Sequence, residues 1–407
     1  MGSRMGYDFA MPISSNSPDA HDERWARELI CSRTGVTAPL DELTNLSPAG
    51  DPWLVTYDLD ESRGPVFRQR LQERPWSLWR YRELLPIADY EARVDLGEGA
   101  TPLVPLRRPS EVLADTGCQV YVKEEGSNPT GSFKDRGLTM AINRARELGV
   151  RGVQLATAGN AGLATAAYAT ASGICCRVAM PDDAPTVIRN RTAAYGAQVL
   201  TSPGTLVDAA ARLQEFDDGF FTVSTFREPY RVEGKKTMGL EIAEQLGWTA
   251  PDWIVYPTGG GTGIVAMHKA FDELRRLGIV KDPSPRFVVV QMEGCAPIVN
   301  AFNEGLDEAP PWQNAHTSAW GLRVPRSLAD FVMLKILRET NGDAVAIPEE
   351  ELDGTRARLA RDEGLLFGAE GAAALLAVEE LARRGRIERG HRVVVFQTGH
   401  PANYGLA

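Results

Sequence analysis

The 407-residue sequence lacks the marks of several large protein classes. It has no excess of basic residues, because 44 Lys and Arg stand against 54 Asp and Glu for a net charge of −10. A nucleic-acid-binding protein usually carries a basic face, so we expect no nucleic-acid partner. No apolar run approaches the roughly 20 residues of a membrane helix, and no charged segment followed by an apolar core opens the chain. We therefore expect no membrane partner either.

Cysteine is scarce, and two catalytic signatures are missing. The five cysteines include no CxxC pair and their number is odd, which favours reduced thiols in a cytoplasmic protein over a disulfide framework. Neither HExxH nor GxSxG occurs, so the signatures of zinc peptidases and of hydrolases with a nucleophile elbow are absent. A Ser-His-Asp triad from separated residues stays open. An anionic ligand also stays open, because backbone N–H groups bind anions whatever the net charge.

What is present is the composition of a folded chain, with 43% hydrophobic and 24% charged residues, near the averages for globular proteins. Residues 1–21 have no hydrophobic periodicity and are rich in Ser, Pro and Asn, so we expect a disordered or tag-like leader. Residues 22–95 hold short, irregular segments, which predict an N-terminal extension packed against a larger region at 96–407.

Strand-like and helical segments alternate from about residue 118 onwards. Runs such as VQLATA at 153–158, WIVYPT at 253–258 and HRVVVFQT at 391–398 are continuous rather than alternating in hydrophobicity, which is typical of strands covered on both faces. Helical segments such as 159–173 and 186–196 lie between the strands. This pattern predicts βαβ units and an α/β fold with mostly parallel sheets.

Four glycines in five residues follow the run WIVYPT: Gly259, Gly260, Gly261 and Gly263, with Thr262 between the last two. Strand, glycines and helix form an arrangement in which N–H groups and a helix N-terminus hold a phosphate. A tight strand-to-helix turn is the alternative, although it needs fewer glycines. No Lys-Ser or Lys-Thr follows, as a P-loop requires, and the next residue is not the glycine of the dinucleotide fingerprint. The loop therefore predicts a phosphate site that is neither a P-loop nor a dinucleotide-binding fingerprint.

Lys134 lies at the start of a predicted helix, directly after Phe133 in the segment NPTGSFKDRG at 128–137. A lysine near a helix start is usually a solvated side chain. A positive charge at this position opposes the helix macrodipole, which makes the site unfavourable for an ordinary lysine. A lysine with a depressed pKa, or one bound as an imine, suits the position better. Lys134 is therefore the candidate nucleophile.

Six segments together resemble one family. GSFKDRG at 131–137 is similar to the cofactor-lysine motif of fold-type II pyridoxal-phosphate enzymes, and in particular of threonine synthases. The glycine loop at 259–263 resembles their phosphate loop. The other four segments, each similar to a threonine synthase motif, are GEGATPL at 97–103, AGNAG at 158–162, PYRVEGKKT at 229–237 and QTGH at 397–400.

The resemblance implies a fold like that of the tryptophan synthase β chain, with two doubly wound, open, parallel-type sheets and helices on both faces. A small domain at about 150–245 would be inserted in the large domain. The implied cofactor is pyridoxal 5′-phosphate, and the implied assembly is a homodimer that acts in amino-acid biosynthesis on a small anionic amino acid.

The resemblance also assigns site residues. Lys134 would carry the cofactor and move protons, Asn160 would bind the ring 3′-oxygen, and Thr398 would face the ring nitrogen. A hydroxyl does not hold that nitrogen protonated, which favours elimination and replacement over transamination. The implied cofactor-binding residues are Lys134, Phe133, Asn160, Gly259, Gly260, Gly261, Thr262, Gly263 and Thr398. The implied substrate-binding residues are Thr101, Thr157, Ala158, Gly159, Ala161 and Lys236, and charge alone adds Arg323. For the substrate phosphate the candidates are Lys235 or Lys236, Arg136 and Arg323, and the resemblance favours the segment that contains Lys236.

The sequence departs from the threonine synthase pattern at several points. The loop from Thr157 to Ala161 lacks two hydroxyls found in the usual Ser-Thr-Gly-Asn-Thr. Glu228 stands where Asn is commoner, and Lys235 stands where the family carries Gln. Some relatives open with a cysteine-rich zinc module, but residues 29–58 keep only Cys31. Zinc needs about four N or S ligands, so we expect a metal-free, degenerate zinc-ribbon-like segment and no metal site.

These observations favour a pyridoxal-phosphate lyase with threonine synthase activity, which converts O-phospho-L-homoserine and water to L-threonine and phosphate. One alternative is β-elimination or β-replacement on serine, threonine or O-phosphoserine, as in a dehydratase or a cysteate synthase. An alternative of another class is a non-catalytic, ligand-binding paralogue. The intact Lys134, Asn160 and glycine loop argue against the last of these.

Overall fold

The computed structural model describes residues 24–404 and arranges their strands in three sheets. The leader predicted for residues 1–21 lies outside the described residues. Over residues 24–404, no helix combines the length and the apolar character that a membrane span requires.

The N-terminal extension contains a small antiparallel sheet of order β2-β1-β3. Its strands are β1 (Ala26–Cys31), β2 (Thr37–Pro39) and β3 (Trp53–Tyr57). Cys31 is buried, and its thiol donates to Ser47 Oγ at 3.3 Å. In the part of the chain that the structure describes, no group of three or more His, Cys, Asp or Glu side chains is placed to hold a metal ion.

The largest sheet has six strands in the order β12-β11-β10-β13-β5-β4. Neighbouring strands are parallel except at the edge, where β4 runs antiparallel to β5. The strands are β4 (Leu103–Pro105), β5 (Gln119–Glu124), β10 (Trp253–Pro257), β11 (Arg286–Met292), β12 (Asp343–Ile347) and β13 (Arg392–Gln397). All five residues of β10 are buried, as expected for a strand covered on both faces.

A second, fully parallel sheet lies between β5 and β10 in the chain and has the order β8-β7-β6-β9. Its strands are β6 (Gly152–Ala156), β7 (Cys175–Pro181), β8 (Gln198–Ser202) and β9 (Phe221–Thr222). The α/β fold with mostly parallel sheets is thus confirmed. The second sheet falls inside residues 150–245, the interval expected for an inserted small domain, and the division into domains stays a prediction.

Helices connect most of these strands. In chain order they are α1 (Arg63–Glu73), α2 (Glu111–Thr116), α3 (Lys134–Glu147), α4 (Asn160–Ala171), α5 (Thr186–Ala194), α6 (Leu206–Arg212), α7 (Tyr230–Gln245), α8 (Thr262–Arg276), α9 (Pro297–Asn303), α10 (Asp330–Glu339), α11 (Leu352–Glu363) and α12 (Ala369–Arg383). Short 3-10 turns include Leu78–Leu84 and Pro401–Tyr404.

Helix α7 is the most enclosed helix of the site region, because every residue from Tyr230 to Ala243 is buried. It packs closely on α3, since a Cβ at Gly234 would lie 1.8 Å from the carbonyl oxygen of Arg136. The N-terminal extension also packs on it, because the Tyr57 hydroxyl donates to Glu233 Oε2 at 2.7 Å. The extension is therefore part of the packing around the central helices.

The sheet topology gathers the predicted motifs at one place. Strand β13 lies between β10 and β5, so the carboxyl ends of the three parallel strands share one edge. Lys134 follows β5, the glycine loop follows β10 and Thr398 follows β13, whereas Asn160 follows β6 of the second sheet. Open α/β sheets bind their ligands at such carboxyl ends.

Candidate active site

A cleft of about 550 Å³, its open mouth included, lies at these carboxyl ends. Residues from four of the predicted motifs line it together. The lining residues are Phe133, Lys134, Asn160, Thr225, Tyr256, Pro257, Gly259, Gly260, Gly261, Thr262, Gly263, Gly321, Leu322, Glu370, Thr398, Gly399 and Tyr404.

Lys134 is the first residue of α3, and its amine lies over an aromatic ring. Its Nζ lies 4.1 Å from the centre of the Phe133 ring, and across residues 24–404 no hydrogen bond or ion pair engages it. Burial, with the positive charge of Arg231 as the second cause, lowers the pKa of Lys134 to about 7, while Glu370 opposes the shift. A large share of this amine is therefore neutral near pH 7, as a nucleophile requires.

The neighbour of Lys134 ties the lysine to the end of β13. The Phe133 N–H donates to the carbonyl oxygen of Thr398 at 3.0 Å. The Thr398 side chain is buried, and its hydroxyl has no protein partner within the described chain. The hydrogen bond between Phe133 and Thr398 thus holds the Lys134 amine and the Thr398 hydroxyl on two walls of the cleft.

The glycine loop presents unpaired backbone donors. Among residues 24–404 the N–H groups of Gly259, Gly260 and Gly261 find no acceptor. Gly261 has φ +86°, and a Cβ there would lie 2.1 Å from Met333 Sδ. Glycine is thus required at this position by backbone conformation and by space. Three free donors before the N-terminus of α8 form a cradle that suits a phosphate.

Asn160, the first residue of α4, is oriented by Asn403, a residue that lies in none of the predicted motifs. Its Oδ1 accepts from Asn403 Nδ2 at 2.8 Å, which leaves its own Nδ2 as a free donor. Asn403 is buried, and its Nδ2 also lies 3.1 Å from the Thr130 carbonyl oxygen. Arg191 donates to Asn403 Oδ1. This fixed amide determines which atom Asn160 offers to a ligand.

Glu370 and Tyr404 are two of the lining residues that were not predicted. Glu370, near the start of α12, accepts from the Gly321 N–H at 2.9 Å. A partial signal for it existed, because the segment GAEGA at 368–372 stands where threonine synthases carry an acidic-proline segment. Tyr404 lies in the last 3-10 turn, and burial, aided by Glu370, raises its pKa above the usual range. Nothing in the sequence pattern pointed to Tyr404.

The predicted loop from Thr157 to Ala161 borders the cleft through Asn160. Thr157 N–H donates to the Ala179 carbonyl oxygen at 2.9 Å, and Gly159 N–H lies 3.2 Å from Thr157 Oγ1. The Ala158 N–H has no acceptor in the described residues. Ala161 belongs to the first turn of α4, and its N–H has no acceptor in the described residues, whereas the Gly162 N–H donates to the Gly159 carbonyl oxygen at 3.0 Å. The loop keeps donors for an anion even though two hydroxyls are missing.

Thr101 does not reach the cleft. It is fully buried behind α3, where its hydroxyl donates to Glu125 Oε1 at 2.7 Å and accepts from Arg136 Nη2 at 3.0 Å. Arg136 also pairs with Glu241 at 2.7 Å. The expected role of Thr101 in substrate binding is therefore not supported by its position, because its only hydroxyl is used in a buried ion-pair network.

Lys236 is also directed away from the cleft. Its Nζ lies 2.7 Å from carboxylate oxygens of Glu233 and Glu273 and 3.8 Å from the centre of the Tyr57 ring. We expected Lys236 to bind substrate phosphate, but an ammonium held by two buried carboxylates has little positive charge left to offer. One residue earlier, about 100° around the helix, Lys235 donates to Thr262 Oγ1 and so faces the glycine loop.

Arg323 lies beside the lining residues Gly321 and Leu322. Its Nη2 is 3.2 Å from Asp183 Oδ2, and its guanidinium group lies 4.1 Å from the centre of the Trp320 ring. The side chain is 27% exposed, so the ion pair is screened by water and weak. Arg323 remains a candidate for an anionic substrate, although none of the observed contacts places its charge inside the cleft.

Comparison with known proteins agrees with this geometry. A family model described as pyridoxal-phosphate dependent enzyme matches residues 94–399. The chain is 34% identical to a threonine synthase of Methanocaldococcus jannaschii over 372 residues and 35% identical to one of Methanosarcina acetivorans over 378 residues, with 91% of each chain covered in both cases. It is 33% identical to a threonine synthase of Mycobacterium tuberculosis over 332 residues, which cover 80% of this chain and 89% of that one.

Solved structures share the fold. Maize serine racemase superposes with a TM-score of 0.65 at 20% identity, covering 86% of this chain and 95% of the racemase. The processed threonine deaminase isoform 2 of Solanum lycopersicum superposes with a TM-score of 0.62 at 20% identity, covering 91% of this chain and 95% of the deaminase. At these identities the likeness concerns the fold alone.

Proposed function

The chain belongs to the pyridoxal-phosphate dependent enzymes, and from that premise we propose that it acts as a threonine synthase. The reaction converts O-phospho-L-homoserine and water to L-threonine and phosphate. The observation that carries this proposal is the 33–35% identity to threonine synthases over 80–91% of the chain. The predicted fold-type II architecture and the predicted cofactor, pyridoxal 5′-phosphate, agree with this family membership.

The residues of the cleft fit this cofactor. The free N–H groups of residues 259–261 suit its phosphate, the Lys134 amine suits its aldehyde carbon, the free Nδ2 of Asn160 suits its ring oxygen, and the Thr398 hydroxyl suits its ring nitrogen. When bound, the cofactor withdraws electrons from the bonds at the substrate Cα. Phe133 packs beside Lys134 and helps to exclude water from the amine.

Lys134 is the group that moves protons. With a pKa of about 7, its Nζ can accept a proton from the substrate Cα and later return one near neutral pH, which is the match that general acid-base catalysis requires. The same Nζ would take part in proton removal at Cβ before phosphate leaves from Cγ. A proton is then returned to Cγ, which becomes the methyl group, and water adds its hydroxyl at Cβ. The proton that water gives up is matched by the one that the departing phosphate takes.

The substrate brings two anions besides the cofactor phosphate. The unpaired Ala158 N–H and the first turn of α4 can bind the carboxylate. For the substrate phosphate, which carries about −1.5 to −2 charges, the structure supports Arg323 at the edge of the cleft more than Lys236. Arg323 would first have to leave Asp183, with which it now forms an exposed ion pair.

A substrate panel tests the proposal. O-phospho-L-homoserine, O-phospho-L-serine, L-serine and L-threonine are supplied separately, and phosphate, threonine and keto acid are measured. We expect equal amounts of threonine and phosphate from O-phospho-L-homoserine and no keto acid. The Lys134→Ala variant is the matched control, because a contaminating phosphatase would survive that change. Keto acid from serine or threonine, with no phosphate from O-phospho-L-homoserine, would instead support the β-eliminating alternative.

Asn403 should act on the cofactor through Asn160. Asn403→Ala removes the donor that fixes the Asn160 amide, so we expect cofactor affinity to fall about fivefold, equivalent to about 1 kcal/mol for one hydrogen bond. Titration of the cofactor-free enzyme measures this affinity. Asn300→Ala, at an exposed position of α9, serves as the control. Wild-type affinity in Asn403→Ala would show that Asn160 needs no such support.

We further propose that the enzyme works in the cytoplasm as a homodimer. The five free cysteines support a reducing compartment. Sedimentation of the purified enzyme tests the dimer.

A further inference from the structure

Lys235 is a fully buried lysine that has no ion-pair partner in the part of the chain that the structure describes. Its Nζ donates to Thr262 Oγ1 and lies 4.9 Å from the centre of the Phe133 ring. Across the described residues no carboxylate forms an ion pair with it, whereas the adjacent Lys236 has two. Charged groups are rarely buried unless they are paired, so Lys235 requires an explanation.

The surroundings of Lys235 are unfavourable for a positive charge. Thr262 begins α8, and the N-terminus of a helix is its positive end. Burial is the main cause that lowers the pKa of Lys235 well below its usual range; Arg231 and Lys134 add to the shift, and only Glu228 opposes it. Arg231 is itself buried with Nε and Nη2 unpaired. Together these groups form a positive region that an anion would stabilise.

The anion that fits is the phosphate cradled by the glycine loop, since Thr262 belongs to that loop. We propose that Lys235 is a positioning residue for the cofactor phosphate and acts through Thr262. When a bound phosphate keeps Lys235 protonated, its ammonium group has only donors, so Thr262 Oγ1 is the acceptor in their contact. The hydroxyl hydrogen of Thr262 is then free to donate into the cleft, towards the phosphate.

Lys235 also adds charge to a site built mainly of neutral donors. Hydrogen bonds in which one group is ionised are roughly twice as strong as neutral ones, and a buried charge is screened little by water. The segment PYRVEGKKT at 229–237 resembles a threonine synthase motif, but that motif has Gln where this chain has Lys235. The added charge is therefore a feature of this sequence. The inference rests on the cofactor of the proposed enzyme and not on its substrate.

The test compares two ligands that differ only in the phosphate. Cofactor-free Lys235→Met is titrated with pyridoxal 5′-phosphate and with pyridoxal, and the ratio of the two dissociation constants is compared with that of the wild type. We expect at least tenfold weaker binding of the phosphorylated ligand and pyridoxal binding within twofold of wild type. Thr262→Val should show the same selective loss, and the double variant should lose little more than either single variant.

Lys236→Met is the matched control, because it removes the neighbouring buried lysine that does not contact the loop. The ratio of the two dissociation constants for Lys236→Met should equal that of the wild type, even if the variant is less stable to heat. If Lys235→Met does not fold, Lys235→Gln keeps a donor and removes the charge, and it should still raise the dissociation constant for pyridoxal 5′-phosphate, relative to that for pyridoxal, at least threefold. A wild-type ratio in both Lys235 variants, or an equal loss for both ligands, would overturn the inference. Neither outcome depends on which amino acid the enzyme uses.

Discussion

Lys134→Ala should abolish covalent retention of the cofactor and lower turnover by about 10³-fold or more, within the range that a positioned acid-base group contributes. The reason is that Lys134 combines three properties in one place: it lines the cleft, its amine forms no hydrogen bond or ion pair with residues 24–404, and its pKa is lowered to about 7. Lys235 is an alternative amine beside the same Phe133 ring, but it is fully buried and bonded to Thr262.

Borohydride reduction followed by peptide mass mapping measures the covalent link, and absorbance of the purified protein measures retention. The variant must melt close to the wild-type temperature for the loss to be assigned to chemistry. Lys236→Met should keep both the covalent link and the absorbance. Reductively trapped cofactor in Lys134→Ala would show that another lysine carries it.

Gly260→Asp should weaken cofactor binding by more than tenfold, which corresponds to about 1.4 kcal/mol or more. A Cβ at Gly260 would meet only the Thr225 side chain, at 2.8 Å from its Cγ2, so the backbone need not move. The larger effect comes from a carboxylate placed beside a phosphate in a site that water screens poorly. Titration with the cofactor measures the change.

The isosteric variant Gly260→Asn separates charge from size, and we expect it to lose much less affinity than Gly260→Asp. Gly261 is unsuitable for this comparison, because its positive φ and its contact with Met333 would disturb the fold with any side chain. If the Asp and Asn variants bind the cofactor as the wild type does, the loop is only a turn between β10 and α8.

The sequence was sufficient for the strands and for the motifs that follow them. The runs at 153–158, 253–258 and 391–398 correspond to strands at Gly152–Ala156, Trp253–Pro257 and Arg392–Gln397. Continuous β-branched runs are informative because strands of a parallel sheet are buried on both faces. The motifs then come together because the carboxyl ends of parallel strands share an edge, a rule that does not depend on side-chain detail.

The choice between Lys235 and Lys236 could not be made from the sequence. A helix with one exposed face has apolar residues at a period of 3.6, which tells one face from another. Helix α7 is buried on all sides from Tyr230 to Ala243, so its sequence has no such period. Lys236 meets Glu233 within α7 itself, but which lysine meets Glu273 and which meets Thr262 is decided by the packing of α8 on α7.

Thr101 and Asn403 also show what sequence-based prediction misses: Thr101 was predicted for the site but lies outside the cleft, and Asn403 was not predicted but supports a residue of the site. Thr101 lies in a motif shared with the family, yet its hydroxyl serves a buried network with Arg136 and Glu125. Asn403 lies in no quoted motif, yet it fixes the amide of Asn160 from 243 positions away in the chain. Contacts of this kind depend on tertiary packing and cannot be predicted from local sequence patterns.

One measurement tests the central claim most directly: turnover of O-phospho-L-homoserine in water enriched with ¹⁸O. If Lys134 directs loss of phosphate from Cγ and addition of water at Cβ, one ¹⁸O atom should appear in the threonine hydroxyl and none in the released phosphate. Mass spectrometry of both products distinguishes these positions. Label in phosphate together with unlabelled homoserine would mean simple hydrolysis of the ester, and a keto acid in place of threonine would mean elimination; either result would contradict the account.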